Sequence, residues 1–231
     1  MTNYPYFRSL AQGGNPEVSV KLSKAMQTCD LLAPPDEATL EAAIDRMYQT
    51  HTLPVFGGSR EIDLSGKTDF HEAANGLRAL SRSCWGVPEA DRIEAYGWLE
   101  VAAESEYLPA VEEILSSKKG TAEHFELVLE SWRLGRIGAL QDLFVVYRTG
   151  SFGVEPDPVA AYAYSYLHSN ITILDLSANG GKRSQQRIAG RHRFIEAQEA
   201  RLRDHQIEAG QALAREILKA NPNCCVSAQN P

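Results

Sequence analysis

The chain has 231 residues, of which 43% are hydrophobic, and it carries a formal net charge of −7. The apolar content is typical of a globular protein, and no apolar run approaches the roughly 18 residues that a membrane-spanning helix needs. The acidic balance argues against nucleic acid as a partner for the surface as a whole. We therefore expect a globular fold without a membrane span.

Apolar residues recur at helical spacing along most of the chain, and no strand pattern with a period of two stands out. The first helical segments are predicted within residues 8–29 and from about 36 to 49. The stretch 51–69 breaks the helical spacing with a proline and paired small residues, which predicts a loop or a short extended insertion. Long loops inside compact folds are often functional. Further helices are expected at about 70–83, 89–104, 107–118, 121–134, 138–149 and 157–173.

The C-terminal part of the chain follows a different pattern. Residues 177–186 are polar and rich in glycine, which predicts a linker. One long helix is expected from 187 to 219, ending before Asn221-Pro222.

Two stretches, residues 73–103 and 139–166, share one pattern of residue types. Each runs from Ala to a Leu four residues on, then through a Gly-Val turn to Asp, Ala and an aromatic residue, and such recurrence is typical of repeat arrays. Alanine permits close helix contacts, and glycine supplies the positive φ that ends the first helix. Asp157, followed by Pro158, is predicted to cap the second helix. The shared positions are Ala73, Leu77, Gly86, Val87, Asp91, Ala95 and Trp98 in the first copy and Ala139, Leu143, Gly153, Val154, Asp157, Ala161 and Tyr164 in the second.

This pattern resembles the Sel-one-like repeat, a relative of the tetratricopeptide repeat, whose helix–turn–helix units end in an Ala-Ala pair like Ala102-Ala103 here. Weaker copies begin at Val18 and Ala110. The resemblance implies an all-α fold in the form of a right-handed superhelical array of helix–turn–helix repeats, an α/α solenoid, with a C-terminal capping helix.

The same resemblance implies a division of the chain into two regions. Residues 1–175 would form the repeat array of about four helix pairs, with the insertion at 51–69 inside it. Residues 176–231 would form a linker, the capping helix and a tail.

The resemblance also bears on function, because related families are non-enzymatic adaptors that bind proteins in a concave groove lined by the first helices. It implies a protein-binding module, here of the bacterial envelope. An immunity protein that blocks a secreted toxin or lipase is an alternative, and a hydrolase with an unrecognised site is a weaker one. Helix phase puts six charged residues on the outer faces of the first helices as candidate partner-binding residues: Lys21, Arg78, Arg82, Glu113, Asp142 and Arg148.

The cysteines bear on the cellular compartment. Cys29 and Cys84 occupy the same offset in two repeat copies, and equivalent turns of neighbouring repeats lie close together in a solenoid. A bridge between them would close a loop of 55 residues, worth about 4 kcal/mol in the chain-entropy account. It would indicate an oxidising compartment such as a bacterial periplasm. The alternative is unpaired thiols in the cytoplasm, and the partners of Cys224 and Cys225 stay open.

Two further observations concern the compartment and the tryptophans. The opening residues MTNYPYFRSL contain neither the basic nor the apolar segment of a signal peptide, which fits a cytoplasmic protein or a mature form. Trp98, at the aromatic position of the repeat, is expected in the core. Trp85, in the turn beside Cys84, is expected to be partly exposed.

No catalytic or metal-binding motif emerges from the sequence. The six histidines form no HExxH motif and no pair at i and i+4, and no GxSxG is present. Gly180-Gly181-Lys182 lacks the spacing of a phosphate-binding loop. The basic stretch 182–193 is predicted to be a solvated helix face, with an acidic protein partner as the alternative. We therefore expect no enzyme activity, no metal and no cofactor.

Overall fold

The computed structural model describes residues 4–56, 61–64, 69–221 and 223–224. Within these ranges the chain forms twelve helices and one short two-stranded hairpin, so the predicted all-α class is confirmed. Packing divides the chain into two compact units, Met1–Ala110 and Val111–Pro231.

The first unit is organised around one central helix, α2. Helices α1, α4, α5 and α6 pack against α2, and α3 packs against α4. Asn15 begins α2 by accepting a hydrogen bond from the backbone N–H of Val18, and Pro16 takes the first helical position. The elements are α1 (Tyr4–Gln12), α2 (Pro16–Leu32), α3 (Glu37–Thr50), β1 (Thr52–Pro54), β2 (Glu61–Asp63), α4 (Phe70–Trp85), α5 (Glu89–Ile93) and α6 (Ala95–Glu104).

Two apolar clusters stabilise this unit. One joins α1, α2 and α6 around the fully buried Met26, and it includes Trp98 as predicted. The other joins α3 and α4 through Leu40, Ile44 and Leu77. Each cluster forms because the apolar residues of its helices recur every three or four positions and so share one face.

The insertion at 51–69 contains the hairpin of β1 and β2. The strands are antiparallel, with Leu53 opposite Ile62, so the predicted short extended insertion is confirmed where the structure describes it. Residues 57–60 and 65–68 of the insertion lie outside the described residues. Each strand has three residues, too few for a period of two to be recognised in the sequence.

The second unit begins within α7 (Leu108–Ser117) and is organised around α10, which α9, α11 and α12 contact. Leu140 and Leu143 are fully buried in its core. A Cβ atom at Gly210 would lie 2.5 Å from Cδ1 of Tyr162, so α12 approaches α10 at a point where only glycine fits. The other helices are α8 (Glu123–Arg133), α9 (Ala139–Thr149), α10 (Pro158–Asn179), α11 (Lys182–Glu199) and α12 (Asp204–Lys219).

The prediction of one long helix from 187 to 219 is wrong. Helix α11 ends at Glu199, and α12 begins at Asp204 after an extended residue, Arg203. The side chain of Gln206 accepts a hydrogen bond from the Arg203 backbone N–H, which starts a new helix rather than continuing the first. The predicted linker at 177–186 is also mostly helical, since only Gly180 and Gly181, both at positive φ, separate α10 from α11.

The two stretches that share the sequence pattern differ in their turns. In the second copy Gly150 (φ 71°) ends α9 and Gly153 (φ 78°) lies in the turn, and Asp157 caps α10 as predicted. In the first copy Gly86 has φ −79° and ψ 0°, so the expected positive φ is wrong there. The N–H of Val87 donates to the carbonyl of Cys84, which closes a four-residue turn. Gly86 is the third residue of this turn, a position at which a negative φ is usual.

Candidate functional site

The predicted partner-binding residues of the first unit, Lys21, Arg78 and Arg82, are all engaged in ion pairs; Lys21 and Arg82 are exposed, whereas Arg78 is half-buried. Lys21 Nζ lies 2.5 Å from Glu17 Oε1, one turn earlier on α2. On α4, Arg78 donates two hydrogen bonds to Glu41 of α3, at 2.8 and 2.6 Å. Each of the three residues therefore already has an acidic neighbour, and their role in partner binding stays a prediction.

The second α4 arginine, Arg82, extends the same contact. Its Nη2 atom lies 3.4 Å from Glu37 Oε1 on α3. Because Arg78 and Arg82 are four residues apart and their partners are also four apart, the pairs form a ladder between α3 and α4. The hydrogen bonds from Arg78 lower the pKa of the Glu41 carboxyl, and the hydrogen bond from Lys21 lowers the pKa of the Glu17 carboxyl. The two arginine pairs link α3 to α4, whereas the Lys21–Glu17 pair lies within α2.

The predicted residues of the second unit have different surroundings. Asp142 accepts a 2.7 Å hydrogen bond from Arg136 Nη1. The guanidinium of Arg148 lies 4.9 Å from the centre of the Phe144 ring, as a cation–π contact. Glu113 lies on α7 and is half-buried. That these three line one groove with Lys21, Arg78 and Arg82 stays a prediction.

The predicted pairing of Cys29 and Cys84 is confirmed. Their sulfur atoms lie at disulfide distance, 2.10 Å apart, and the bond joins α2 to α4. Both side chains are buried. Cys225 lies outside the described residues, so the pairing of the C-terminal cysteines stays open.

A mostly apolar groove opens between α1 and α2. We call it the α1–α2 groove; it has a volume of about 250 Å³ and is lined by Phe7, Val18, Lys21, Leu22 and Ala25. The α2 residues lie on one stripe because they are spaced at three or four positions. Lys21, one of the predicted partner-binding residues, is part of this lining.

Exposed aromatic rings flank this groove on α1. The side chain of Phe7 is 41% exposed and that of Tyr6 is 62% exposed. The two rings are in edge-to-face contact, with centroids 5.6 Å apart. Aromatic rings left in water beside an apolar groove are typical of a protein contact surface.

A buried polar network that was not predicted from the sequence lies between α1 and α5. Asp91 is 3% exposed, and its carboxylate accepts from the hydroxyl of Tyr4 at 2.6 Å and pairs with Arg8 at 2.8 Å. Tyr4 and Arg8 are one turn apart on α1, which puts them on one face. Both oxygens of Asp91 are occupied, so the network attaches α1 to α5 rather than presenting a free carboxylate for chemistry.

No family model matches the sequence, and no curated protein or solved structure is significantly similar to it. Among the helices that the structure describes, none combines the length and the apolar character needed to cross a membrane. The resemblance to Sel-one-like repeats stays a prediction from the sequence, and function has to be argued from the surfaces of the two units.

Proposed function

We propose that this chain is a non-enzymatic protein-binding module, and that the α1–α2 groove is a surface on which its partner binds. The observation that carries the proposal is the groove itself, an apolar depression lined in part by the exposed ring of Phe7, against which the exposed ring of Tyr6 packs. Aromatic side chains at the centre of an apolar patch supply a large share of the free energy of protein association. The occupant is an apolar face of a protein partner.

Charge at the edge of the groove adds a requirement on that partner. Lys21 lies in the groove lining, and its pair with Glu17 is exposed on both sides. Exposed pairs of this kind are weak, so an acidic group on the partner can replace Glu17 beside Lys21. A partner that presents apolar side chains next to an Asp or Glu therefore fits this surface best.

Within the all-α class, we propose that the helices form an α/α solenoid of Sel-one-like repeats. Matched positions of the two clearest copies support it: Leu77 and Leu143 are both buried, and so are Ala95 and Ala161. Within the second unit, α9 and α10 pack against each other, which is the contact that the two helices of one repeat would make.

An oxidising compartment, such as a bacterial periplasm, is the proposed location. The disulfide between Cys29 and Cys84 supports this, because such bonds persist in the envelope and are reduced in the cytoplasm of most bacteria. The same bond favours the second candidate function, an immunity protein for a secreted toxin or lipase. In both cases the partner occupies the α1–α2 groove.

Site-specific photo-crosslinking in the envelope tests the proposal. A photoreactive phenylalanine analogue at position 6 or 7 should yield one discrete adduct with a protein. The same analogue at Leu174, which is 71% exposed on α10, is the matched control and should not yield that adduct. An adduct that forms equally from position 174, or none from either α1 position, would contradict the proposal. A secreted toxin or lipase in the adduct would identify the chain as an inhibitor.

A further inference from the structure

Helix α11 concentrates positive charge in a chain that is acidic as a whole. Residues 182–193 contain five Lys and Arg residues and no Asp or Glu. Removing these five from the 23 cations of the chain leaves 18 against 30 carboxylates, so the rest of the chain has a net charge of −12. No residue of α11 is fully buried, and none of its cations forms an ion pair with a described residue. This positive charge is therefore available to a partner.

Three arginines form one stripe along α11. Arg183, Arg187 and Arg191 are four residues apart, which puts neighbouring members about 6 Å apart along one side of the helix. Phe194 lies on that side too, and its ring contacts the ring of Phe144 edge to face, with centroids 5.9 Å apart. Because Phe144 belongs to α9, the stripe lies on the side of α11 that faces α9.

Two further arginines join this side of the second unit. The guanidinium of Arg148 on α9 lies 4.9 Å from the centre of the same Phe144 ring, which places it at the boundary between α9 and α11. Arg148 and Arg201, which follows α11, line one cavity of about 160 Å³ together with Gln198. Both arginines are exposed, so an anion can reach them. We call this set of five arginines the basic face: Arg148, Arg183, Arg187, Arg191 and Arg201.

Three carboxylates on the neighbouring elements are already engaged elsewhere. On α9, Asp142 accepts a hydrogen bond from Arg136 at 2.7 Å. In the last turn of α11, Glu199 accepts a hydrogen bond from the hydroxyl of Tyr162. Asp157 caps α10 by accepting from two backbone N–H groups. The arginines of the basic face therefore lack a paired counter-charge among the described residues, and an anionic ligand is complementary to them.

The composition of the basic face favours an acidic protein segment over other polyanions. Nucleic acid extends beyond a face of this length, and the net charge of −12 elsewhere would repel the rest of it. Proteins that bind single strands present aromatic rings to the bases, whereas no Phe, Tyr or Trp of the second unit is exposed among the described residues.

A membrane surface fits the basic face less well for a related reason. Helices that bind at a membrane surface expose large apolar side chains, but Phe194 and the two isoleucines of α11 are half-buried. All five members of the face are arginines, whose planar fork can bind a carboxylate through two hydrogen bonds. A carboxylate-bearing segment is therefore the best match.

We propose that the basic face binds an acidic segment of a protein partner. Carboxylates spaced about 6 Å apart would pair with the stripe on α11, and one further carboxylate side chain would enter the cavity that Arg148 and Arg201 line. This inference rests on the proposed function, because it assigns the face to a protein ligand. It adds a binding surface on the second unit and states the chemistry of the segment that occupies it.

The test uses the full ¹⁵N-labelled chain and a capped alanine-based peptide with glutamate at every fourth position. NMR follows the backbone amide signals during the titration at low salt. The signals of α11 and of Arg148 should shift saturably, and the affinity should fall as salt is added. The same peptide with glutamine in place of glutamate should not bind. Phosphatidylglycerol vesicles should not co-sediment with the chain, and an oligothymidylate with the same number of charges should bind more weakly than the peptide.

Charge-matched variants separate the basic face from the net charge of the chain. The Arg148→Gln and Arg201→Gln double variant should weaken peptide binding about tenfold. Arg183→Gln with Arg187→Gln, both at exposed positions, should cause a similar loss. The Arg215→Gln and Lys219→Gln double variant removes two exposed cations of α12 and should bind like the native chain. Circular dichroism should show an intact fold in all three.

Several results would overturn the assignment. They are the absence of a saturable shift on α11, equal binding of the glutamine peptide, native binding by both variants of the face, or an equal loss in the α12 variant. Tighter binding of the oligothymidylate, or co-sedimentation with the vesicles, would also overturn it and would indicate nucleic acid or a membrane as the ligand.

The two proposals fail in different ways. Crosslinking from positions 6 and 7 without peptide binding on α11 would leave the α1–α2 groove standing and remove the basic face. Peptide binding on α11 without a crosslink from α1 would support the basic face and contradict the α1–α2 groove.

Discussion

The hydroxyl of Tyr4 donates a 2.6 Å hydrogen bond to Asp91, a carboxylate 87 positions further along the chain. Arg8 pairs with the other oxygen of Asp91. Burial, together with the bond to Asp91, raises the pKa of the Tyr4 hydroxyl above its ordinary value, so the donor stays protonated. This network determines where α1 lies on the first unit, and α1 carries the aromatic rings of the α1–α2 groove.

Replacing Asp91 should therefore destabilise the first unit. Asp91→Ala leaves the Tyr4 hydroxyl without its acceptor and Arg8 without its partner. Because Arg8 is partly exposed and can be hydrated, we expect a loss of about 2 kcal/mol in the free energy of unfolding rather than the larger cost of a fully buried pair. Urea denaturation measures it, with the exposed Glu89→Ala on the same helix as control. Equal stability of the two variants would show that the network does not fix α1.

The disulfide should contribute strongly to stability. Cys29 and Cys84 close a loop of 55 residues, so the Cys29→Ser and Cys84→Ser double variant should lose about 4 kcal/mol in the chain-entropy account. Denaturant titration of both proteins gives the difference. Mass spectrometry after alkylation under non-reducing conditions should find the native pair linked. Two alkylated thiols would contradict the bond and the proposed compartment.

Two glycines in the turn after α9 should respond differently to substitution. Gly153 has positive φ but open space around its Cα, so Gly153→Val should cost about 1 kcal/mol or more from backbone strain alone. At Gly150 a Cβ atom would also lie 2.7 Å from Cγ of Pro156, so even Gly150→Ala should cost more than Gly153→Ala. Thermal melts of the two alanine variants test the order. The reverse order would mean that the turn differs from the one described.

The free energy of unfolding should fall as pH decreases below 6.5, because His168 is buried. Burial, with a smaller effect of Arg191 and an opposing one of Asp142, lowers the pKa of His168 below its usual 6.5. The unfolded chain then binds the proton more readily than the folded chain. The contribution of neutral His168 to the free energy of unfolding is therefore complete above pH 6.5, and it is lost as the pH falls from 6.5 through the lowered pKa. The slope should be below about 1.4 kcal/mol per pH unit.

A matched pair of variants isolates this effect. His168→Gln should flatten the pH dependence of the unfolding free energy below pH 6.5, whereas the exposed His205→Gln should not change it. An NMR titration that gives His168 a pKa at or above 6.5 would contradict the assignment.

Local signals were sufficient for part of this fold. The cap at Asp157 depends on residues that follow it directly, and α3 and α9 were recognisable because their apolar positions recur on one face. The pairing of Cys29 with Cys84 was predicted because the two cysteines share an offset in the recurring sequence pattern. In these cases the determining contacts are either adjacent in sequence or repeated.

Other features depend on contacts that no local pattern records. Asp91 matches Asp157 in the sequence pattern, yet it lies inside α5 and is buried, because Tyr4 and Arg8 reach it from α1. The break between α11 and α12 contains neither proline nor glycine, so nothing in composition marked it. Helix phase predicted an outward-facing Arg78, but the residue is half-buried against Glu41 of α3, a contact that depends on the packing of α3 on α4.

Titration calorimetry with the crosslinked partner, once purified, tests the central claim most directly. Phe7→Ala should weaken binding by about tenfold or more, since an aromatic anchor at an interface is worth at least ~1.4 kcal/mol. Binding to the native chain should show a negative heat-capacity change, as expected when apolar surface is buried. Leu174→Ala should bind like the native chain. An unchanged dissociation constant for Phe7→Ala, with circular dichroism showing an intact fold, would contradict the α1–α2 groove as the binding surface.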